Sequence, residues 1–216
     1  APEAICDSNG NLQEVLLDPL GLVYASTFYG TEGEAQVGFA PFDASHVLPP
    51  EPTDLGELLD HPEAYLKDAF HYFVYDPLAW QLTRQPVSAV TLVAEAYPGA
   101  QGRIQVQISY SDGFGRLLQQ KIKVSEASTG FWQSNADGDV VAVPADHIWL
   151  TSGAVRYNNK GHAVRQYEPF FSDQPAYTDQ AALQTLGVSP TLYYDPLDRL
   201  VLTQDPQGFF TKTLYG

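Results

Sequence analysis

The sequence predicts a mainly β chain of antiparallel hairpins, broken by two short helical insertions. Three observations lead there. The pattern Asx-x-x-Gly occurs at Asp7 and Gly10, Asp18 and Gly21, Asp112 and Gly115, Asn135 and Gly138, Asn158 and Gly161, and Asp205 and Gly208; chance placement of the same residues predicts fewer than about two copies. The stretches between these turns read as short strands, the clearest alternating strictly between apolar and polar residues. Helix start and stop signals are confined to two places.

The spacing of the pattern has a chemical reason. An Asx side chain at the first position caps the turn, Pro or a small polar residue suits the second, and Gly at the fourth takes a positive φ. Such loops are of the hairpin kind that ends in a bulge. Asp18, Gly21, Asp112, Gly115, Asn158, Gly161, Asp205 and Gly208 are therefore assigned to repeat turns. Asp195 joins them, although Asp195-Pro196-Leu197-Asp198, like Asp76-Pro77-Leu78-Ala79, has lost the glycine.

Along the chain, strands are expected at 12–17 and 22–29. Residues 43–70 then read as a proline-rich loop, through Leu48-Pro49-Pro50-Glu51-Pro52, with one or two short helices; Asp54 and His61 precede first turns, and Pro62 suits a helix start. A strand is expected at 87–96. Ile104, Val106, Ile108 and Tyr110 alternate with Arg103, Gln105, Gln107 and Ser109, and the chain returns through 116–124 with Leu118, Ile122 and Val124 on one face, so 103–124 reads as a hairpin. Further strands are expected at 154–157, 163–167, 199–203 and 209–215. Residues 178–187 read as a second helical insertion, capped by Thr178 and ended by Gly187, with Leu183 and Leu186 one turn apart.

Composition narrows function. Acids outnumber bases 26 to 11, for a formal charge of −15, which argues against nucleic acid and anionic membrane surfaces, both of which are bound through Lys and Arg clusters. The single cysteine, Cys6, excludes an intrachain disulfide and a multi-Cys metal site. Neither an 18-residue apolar run nor a leader pattern is present. The chain contains no Met, even at position 1, and is expected to be a piece of a longer one whose repeats continue beyond both ends.

No constellation carries chemistry. His46, His61, His71, His147 and His162 show no metal-ligand spacing, and Asn135, Asp137 and Asp139 lack the distal Glu of a calcium loop. Nucleotide-binding glycine patterns and nucleophile elbows are missing. Asp112, Asp195 and Asp205 could form an acid pair for hydrolysis, but each already heads a turn. Aromatic doublets such as Phe28-Tyr29, Tyr72-Phe73, Phe170-Phe171, Tyr193-Tyr194 and Phe209-Phe210 could stack on sugars, but doublets on a strand place one ring on each face. The reading is of no enzyme, no cofactor and no metal; a carbohydrate-binding or surface-recognition module is the alternative, and an acid-pair hydrolase a weaker one.

Three phrases carry a family resemblance. Val15-Leu16-Leu17-Asp18-Pro19-Leu20-Gly21, Tyr110-Ser111-Asp112-Gly113-Phe114-Gly115-Arg116 and Tyr193-Tyr194-Asp195-Pro196-Leu197-Asp198-Arg199 resemble YD repeats of the RHS superfamily. With 153–161, 165–172 and 188–195, they are similar, in order, to the B component of bacterial insecticidal toxin (Tc) complexes. Leu22 stands where the repeat usually has Arg, and Asp198 where it usually has Gly. The resemblance implies a curved β-sheet shell of YD/RHS hairpins, formed by the B and C components around a toxic polypeptide. It also implies three partners: the remainder of the B-component chain, the C component with its enclosed toxic domain, and the pore-forming A component through another region. Residues 1–216 would be one segment of that shell, secreted as part of a larger complex.

Overall fold

The protein was analysed as a computed structural model, which describes residues 3–33, 35–43, 55–124, 130–134, 139–179, 183 and 188–216. The chain separates into two compact units, Ala1–Tyr75 with Ala89–Gln107, and Asp76–Ser88 with Ile108–Gly216.

The first unit is an antiparallel sheet. Its strands are β1 (Ala4–Cys6), β2 (Leu12–Leu17), β3 (Val23–Glu32), β4 (Ala35–Gly38), β5 (His71–Asp76), β6 (Val87–Ala94) and the first half of β7 (Ile104–Ser111). They are ordered β1-β2-β3-β5-β6-β7, with β4 also on β3. β3 runs three residues past the expected 22–29 because Gly30, Thr31 and Glu32 pair with β4. The helices expected within 43–70 are α1 (Leu55–Asp60) and α2 (Pro62–Leu66), with Pro62 opening the second; residues 44–54 lie outside the described residues. Leu58, Leu59, Tyr65 and Leu66 are buried, and the Tyr65 ring lies 6.1 Å from Tyr72 on β5. A second aromatic group gathers around Phe28, 5.1 Å from Phe39 and 4.8 Å from Phe70.

The second unit begins where a turn has failed. At Asp76-Pro77-Leu78-Ala79 no glycine supplies the positive φ, and the chain continues into a helix instead, α3 (Ala79–Thr83), which ends on Arg84 in the left-handed region (φ 60°). From the second half of β7 follow β8 (Leu117–Val124), β9 (Phe131–Ser134), β10 (Val140–Val143), β11 (Ile148–Ser152), β12 (Val155–Tyr157), β13 (Ala163–Gln166), β14 (Phe170–Ser172), β15 (Thr191–Tyr194), β16 (Leu200–Gln204) and β17 (Phe210–Lys212). Here β7-β8-β11-β14 are neighbours, β9 pairs with β10, and, among the described residues, β12-β13-β15-β16-β17 form a separate sheet. Of the helix expected over 178–187, residues 180–182 and 184–187 lie outside the described residues; Leu183 is helical and packs with Ala154 and Tyr167.

The 103–124 hairpin forms, and Val106, Ile108 and Tyr110 face inward as their alternation requires. Its return strand departs from expectation. On β8 the fully buried residues are Gln119 and Lys121, while Leu118, Ile122 and Val124 are only half-buried. The reason lies in what covers that face: the main chain of residues 172–178 crosses it, and backbone polar groups removed from water need partners. Gln119 donates to the Thr178 carbonyl (2.8 Å) and accepts from its N–H (2.9 Å). Lys121 Nζ donates to Ser172 Oγ (3.0 Å) and the Gln174 carbonyl (2.9 Å), and Tyr110 Oη donates to the Pro175 carbonyl (2.9 Å).

At the hairpin tip Gly115 has φ +76°, with open space where a Cβ would stand. A substitution there meets backbone strain alone. Gly115→Val is expected to destabilise by more than about 1 kcal/mol, and Gly115→Asn by clearly less, since Asn tolerates the left-handed region. An unchanged denaturation midpoint for the valine variant would contradict the turn assignment.

Candidate functional site

The described residues hold six turns with one hydrogen-bond plan. At Asp18, the N–H donates to the Leu22 carbonyl (2.8 Å), the Gly21 N–H donates back to the Asp18 carbonyl (2.9 Å), and Oδ1 accepts from the N–H groups of Leu20 and Leu22 (2.9 and 2.8 Å). The same bonds recur at Asp7, Asp112, Asn158, Asp195 and Asp205. Gly10, Gly21, Gly115, Gly161 and Gly208 all carry a positive φ. The Asn135 copy lies outside the described residues. The sequence-assigned residues thus stand in equivalent turns, and the glycine-free copy at Asp195 keeps the geometry because Asp198 itself takes φ 64°.

The side chain after each turn adds to the cap. Arg116 Nε donates to Asp112 Oδ2 (2.7 Å) with a second contact from its terminal nitrogen (2.6 Å), and Arg199 Nε does the same to Asp195 Oδ2 (2.8 Å). The Arg199 backbone N–H, followed by its guanidinium, holds the Asp195 carboxyl below its usual range. At Asp112 partial desolvation pushes the carboxyl up, but bonds from Arg116 and Phe114 outweigh it and lower the pKa.

These capping side chains connect one turn to the next. The Arg116 guanidinium lies 4.4 Å from the ring of Tyr157, the residue just before Asn158. His162, which follows the Asn158 turn, stacks at 4.9 Å on Tyr194, the residue just before Asp195. Arg199 lies 4.5 Å from Tyr215. Each tyrosine hydroxyl then donates to the carbonyl one residue further along the earlier hairpin: Tyr157 to Leu117 (3.2 Å), Tyr194 to Ala163 (2.9 Å) and Tyr215 to Leu200 (3.0 Å). In the first unit Tyr75, just before Asp76, donates to Val23 after the Asp18 turn (2.8 Å), with Leu22 in the arginine's place. In Tyr157-Asn158 and Tyr194-Asp195 the dipeptide therefore does two jobs, the Asx closing its own turn and the phenol locking the preceding one.

Neighbouring turns also touch. Lys160 Nζ donates to Asp198 Oδ1 (2.8 Å) and the Pro196 carbonyl (3.3 Å), and His162 Nε2 lies 3.4 Å from the same carboxylate. Asp198, in the glycine position, thus presents its carboxylate to the previous turn. A Cβ on Gly161 would meet only the far end of the Arg116 side chain, at 2.8 Å, so it is the positive φ that calls for glycine there.

Sequence reasoning assigned the turn residues and missed the locking partners, Tyr75, Tyr157, Tyr194 and Tyr215. The usable signal was Tyr directly before Asx at Tyr75-Asp76, Tyr157-Asn158 and Tyr194-Asp195. The remaining candidates sit apart. His61 is an exposed neighbour of Glu63 (3.6 Å), His71 Nδ1 is 3.0 Å from Ser26 Oγ with its pKa lowered by burial, and Cys6 is exposed. His46 lies outside the described residues. Tyr72 is buried and Phe73 half-buried, as a doublet on a strand requires, whereas Phe209 and Phe210 are both exposed.

The lock predicts measurable coupling. Tyr194→Phe, which removes one donor, is expected to cost about 1 kcal/mol. A cycle of Arg116→Ala and Tyr157→Ala should show about 0.5–1 kcal/mol of coupling beyond additivity. Strict additivity in urea denaturation would reduce the ladder to mere proximity.

No family model matches the chain, and no curated protein matches it significantly. Solved structures do. A crystal structure of TcdB2-TccC3 matches with 27% identity and a TM-score of 0.80, over 99% of this chain and 10% of that one. TcdB2-TccC3 without its hypervariable C-terminal region gives 23% identity, a TM-score of 0.80 and coverage of 99% and 12%. The Photorhabdus luminescens Tc holotoxin pore gives 21% identity, a TM-score of 0.76 and coverage of 99% and 12%. The resemblance read in the sequence is borne out at the level of fold: the chain is similar throughout to the Tc toxin B–C components, and it spans only about a tenth of the length of those chains.

Proposed function

We propose that this chain is a non-enzymatic section of the β-sheet shell of a Tc-type toxin, built to contain a toxic polypeptide and help deliver it, and secreted within a larger complex. Its partners are the remainder of its B-component chain, the C component with the enclosed polypeptide, and an A component reached through another region. The observation that carries the reading is the ladder of turns, read beside the likeness in fold. Asp112 and Asp195 are each bridged by the arginine that follows their own turn, and Asp198 is bridged by Lys160 of the previous turn, so these acids are engaged in holding hairpins together. A wall that must stay closed needs hairpins locked edge to edge, and Tyr157, Tyr194 and Tyr215 supply that lock.

The test is a graft. The 216 residues replace the matching segment of TcdB2 in the TcdB2-TccC3 complex. Protection of the TccC3 C-terminal region from added protease is expected to persist, and to be lost when Tyr157 and Tyr194 are both changed to alanine. A graft that assembles yet leaves that region open to protease would overturn the proposal.

A further inference from the structure

We propose that the cavity beside the first turn is an open tyrosine socket, which takes the side chain of a tyrosine presented by another polypeptide. The inference rests on the ladder within this chain and not on the shell reading, so either can fail alone.

The position of the locking tyrosine follows a rule of register. Extending the observed pairings by the few residues to each strand end sets Tyr215 opposite Arg199, Tyr194 opposite His162 and Tyr75 opposite Leu22; in each case the ring stands across from the residue that follows the turn. The Asp7 turn has the same bonds, including the Asn11 amide donating to Asp7 Oδ2 (2.8 Å). On the strand beside it Leu12 pairs with Tyr29, so the residue opposite Asn11 is Gly30. The ladder's tyrosine is replaced by a residue with no side chain.

What remains is room. A cavity of about 480 Å³ opens there, lined among others by Asn11, Leu12, Gly30, Phe28 and Tyr97. No described residue fills it: a Cβ on Gly30 would run into Asn11 Oδ1, while the Asn11 nitrogen is held by Asp7. The Leu12 carbonyl is the counterpart of the carbonyls of Val23, Leu117, Ala163 and Leu200, each of which accepts a tyrosine hydroxyl. Phe28 and Tyr97 meet edge to face at 6.2 Å, a geometry that a third ring extends. The Asp7 carboxylate beside Asn11 favours a neutral phenol over an acid. Exposed Ile5 and Val37 also line the cavity and offer apolar contact to the residues flanking a tyrosine, which a free phenol would leave unused.

The experiment is an amide NMR titration of the 216-residue chain with N-acetyl-tyrosinamide. Saturable shifts at Asn11 and Gly30 in the millimolar range are expected, with N-acetyl-phenylalaninamide at least about fivefold weaker for want of the hydroxyl. Ile5→Trp and Val37→Trp, exposed substitutions on the rim of the cavity that leave the Asp7 turn intact, should each weaken binding. The proposal fails if neither residue shifts, if the two amides bind equally, or if binding is undiminished in both variants. Binding of p-cresol without N-acetyl-tyrosinamide would assign the socket to a small phenol and overturn the polypeptide occupant.

Discussion

Lys121→Met is expected to leave stability at pH 7 within about 1 kcal/mol of wild type and to erase a rise in stability between pH 8 and 10. Burial lowers the Lys121 pKa to about 8, opposed by the nearby Asp173 carboxylate. A lysine whose folded pKa lies below its unfolded value of 10.5 is charged in both states below pH 8, and the fold then bears the cost of a buried ammonium. Between the two values the unfolded chain binds more protons than the folded one, so wild-type stability rises with pH, by about 2 kcal/mol from pH 8 to 10. Above pH 10 the rise ends, because buried tyrosines such as Tyr110, pushed up to about 12 by burial, begin to oppose it. Methionine matches the lysine stem and carries no charge, and replacing a buried charge by an apolar group of similar volume is often neutral. The acceptors left behind keep partners: Ser172 Oγ also donates to the Gln174 carbonyl (3.3 Å) and lies 3.4 Å from Thr151 Oγ1. Lys121→Ala, by contrast, leaves a cavity and should cost about 3 kcal/mol. All three tryptophans fall in the second unit and Trp149 is buried, so urea titrations followed by tryptophan fluorescence report on the relevant part. The same pH dependence in wild type and Lys121→Met would sink the argument.

The reach of sequence reasoning here follows the reach of the interactions. A turn closed by Asp18 or Asn158 is a bargain among five consecutive residues, and it is legible because nothing distant takes part. Pro62 announced α2 for the same local reason. α3 was missed because the failed turn at Asp76 still begins like a working one. Strands such as β11 carry no alternation, since Ile148 and Trp149 are both buried in a strand paired on both sides, with β8 and β14. Gln119 and Lys121 looked like the outer face of β8 because polar residues usually are; only the passage of residues 172–178 over them reverses that.

The candidate site divides in the same way. Its acids and glycines were readable, and its locking pairs were not. Arg116 with Tyr157, His162 with Tyr194 and Leu22 with Tyr75 are separated along the chain by different lengths, set by whatever strands and insertions intervene. No fixed period marks them, and the pairing emerges only when the strands lie side by side.

Asp112→Ala is expected to cost about 2–3 kcal/mol, the loss falling on the second unit. The carboxylate supports two backbone N–H groups, of Phe114 and Arg116 (2.9 and 3.0 Å), and through Oδ2 the guanidinium of Arg116. Charge-assisted bonds are the stronger kind, and their partial exposure here, 18% for Asp112 and 34% for Arg116, keeps the sum modest. Alanine removes every one of these bonds and releases the guanidinium that packs on Tyr157, so the turn and its lock weaken together. Asp112→Asn retains an oxygen for both backbone donors but gives up the charge and the Oδ2 acceptor of the Arg116 guanidinium, and should lose about half as much. The pH dependence separates the two contributions. The folded Asp112 pKa lies below the ordinary 3.8, so the ionic part of its stabilisation is complete above that value and disappears as pH falls through the folded pKa. Wild type and Asp112→Asn should therefore converge in urea midpoint as the pH drops below about 3.8, while Asp112→Ala stays less stable than both. If the asparagine variant matched wild type at pH 7, the Arg116 bridge would carry no weight, and the ladder would rest on the backbone caps and the tyrosines alone.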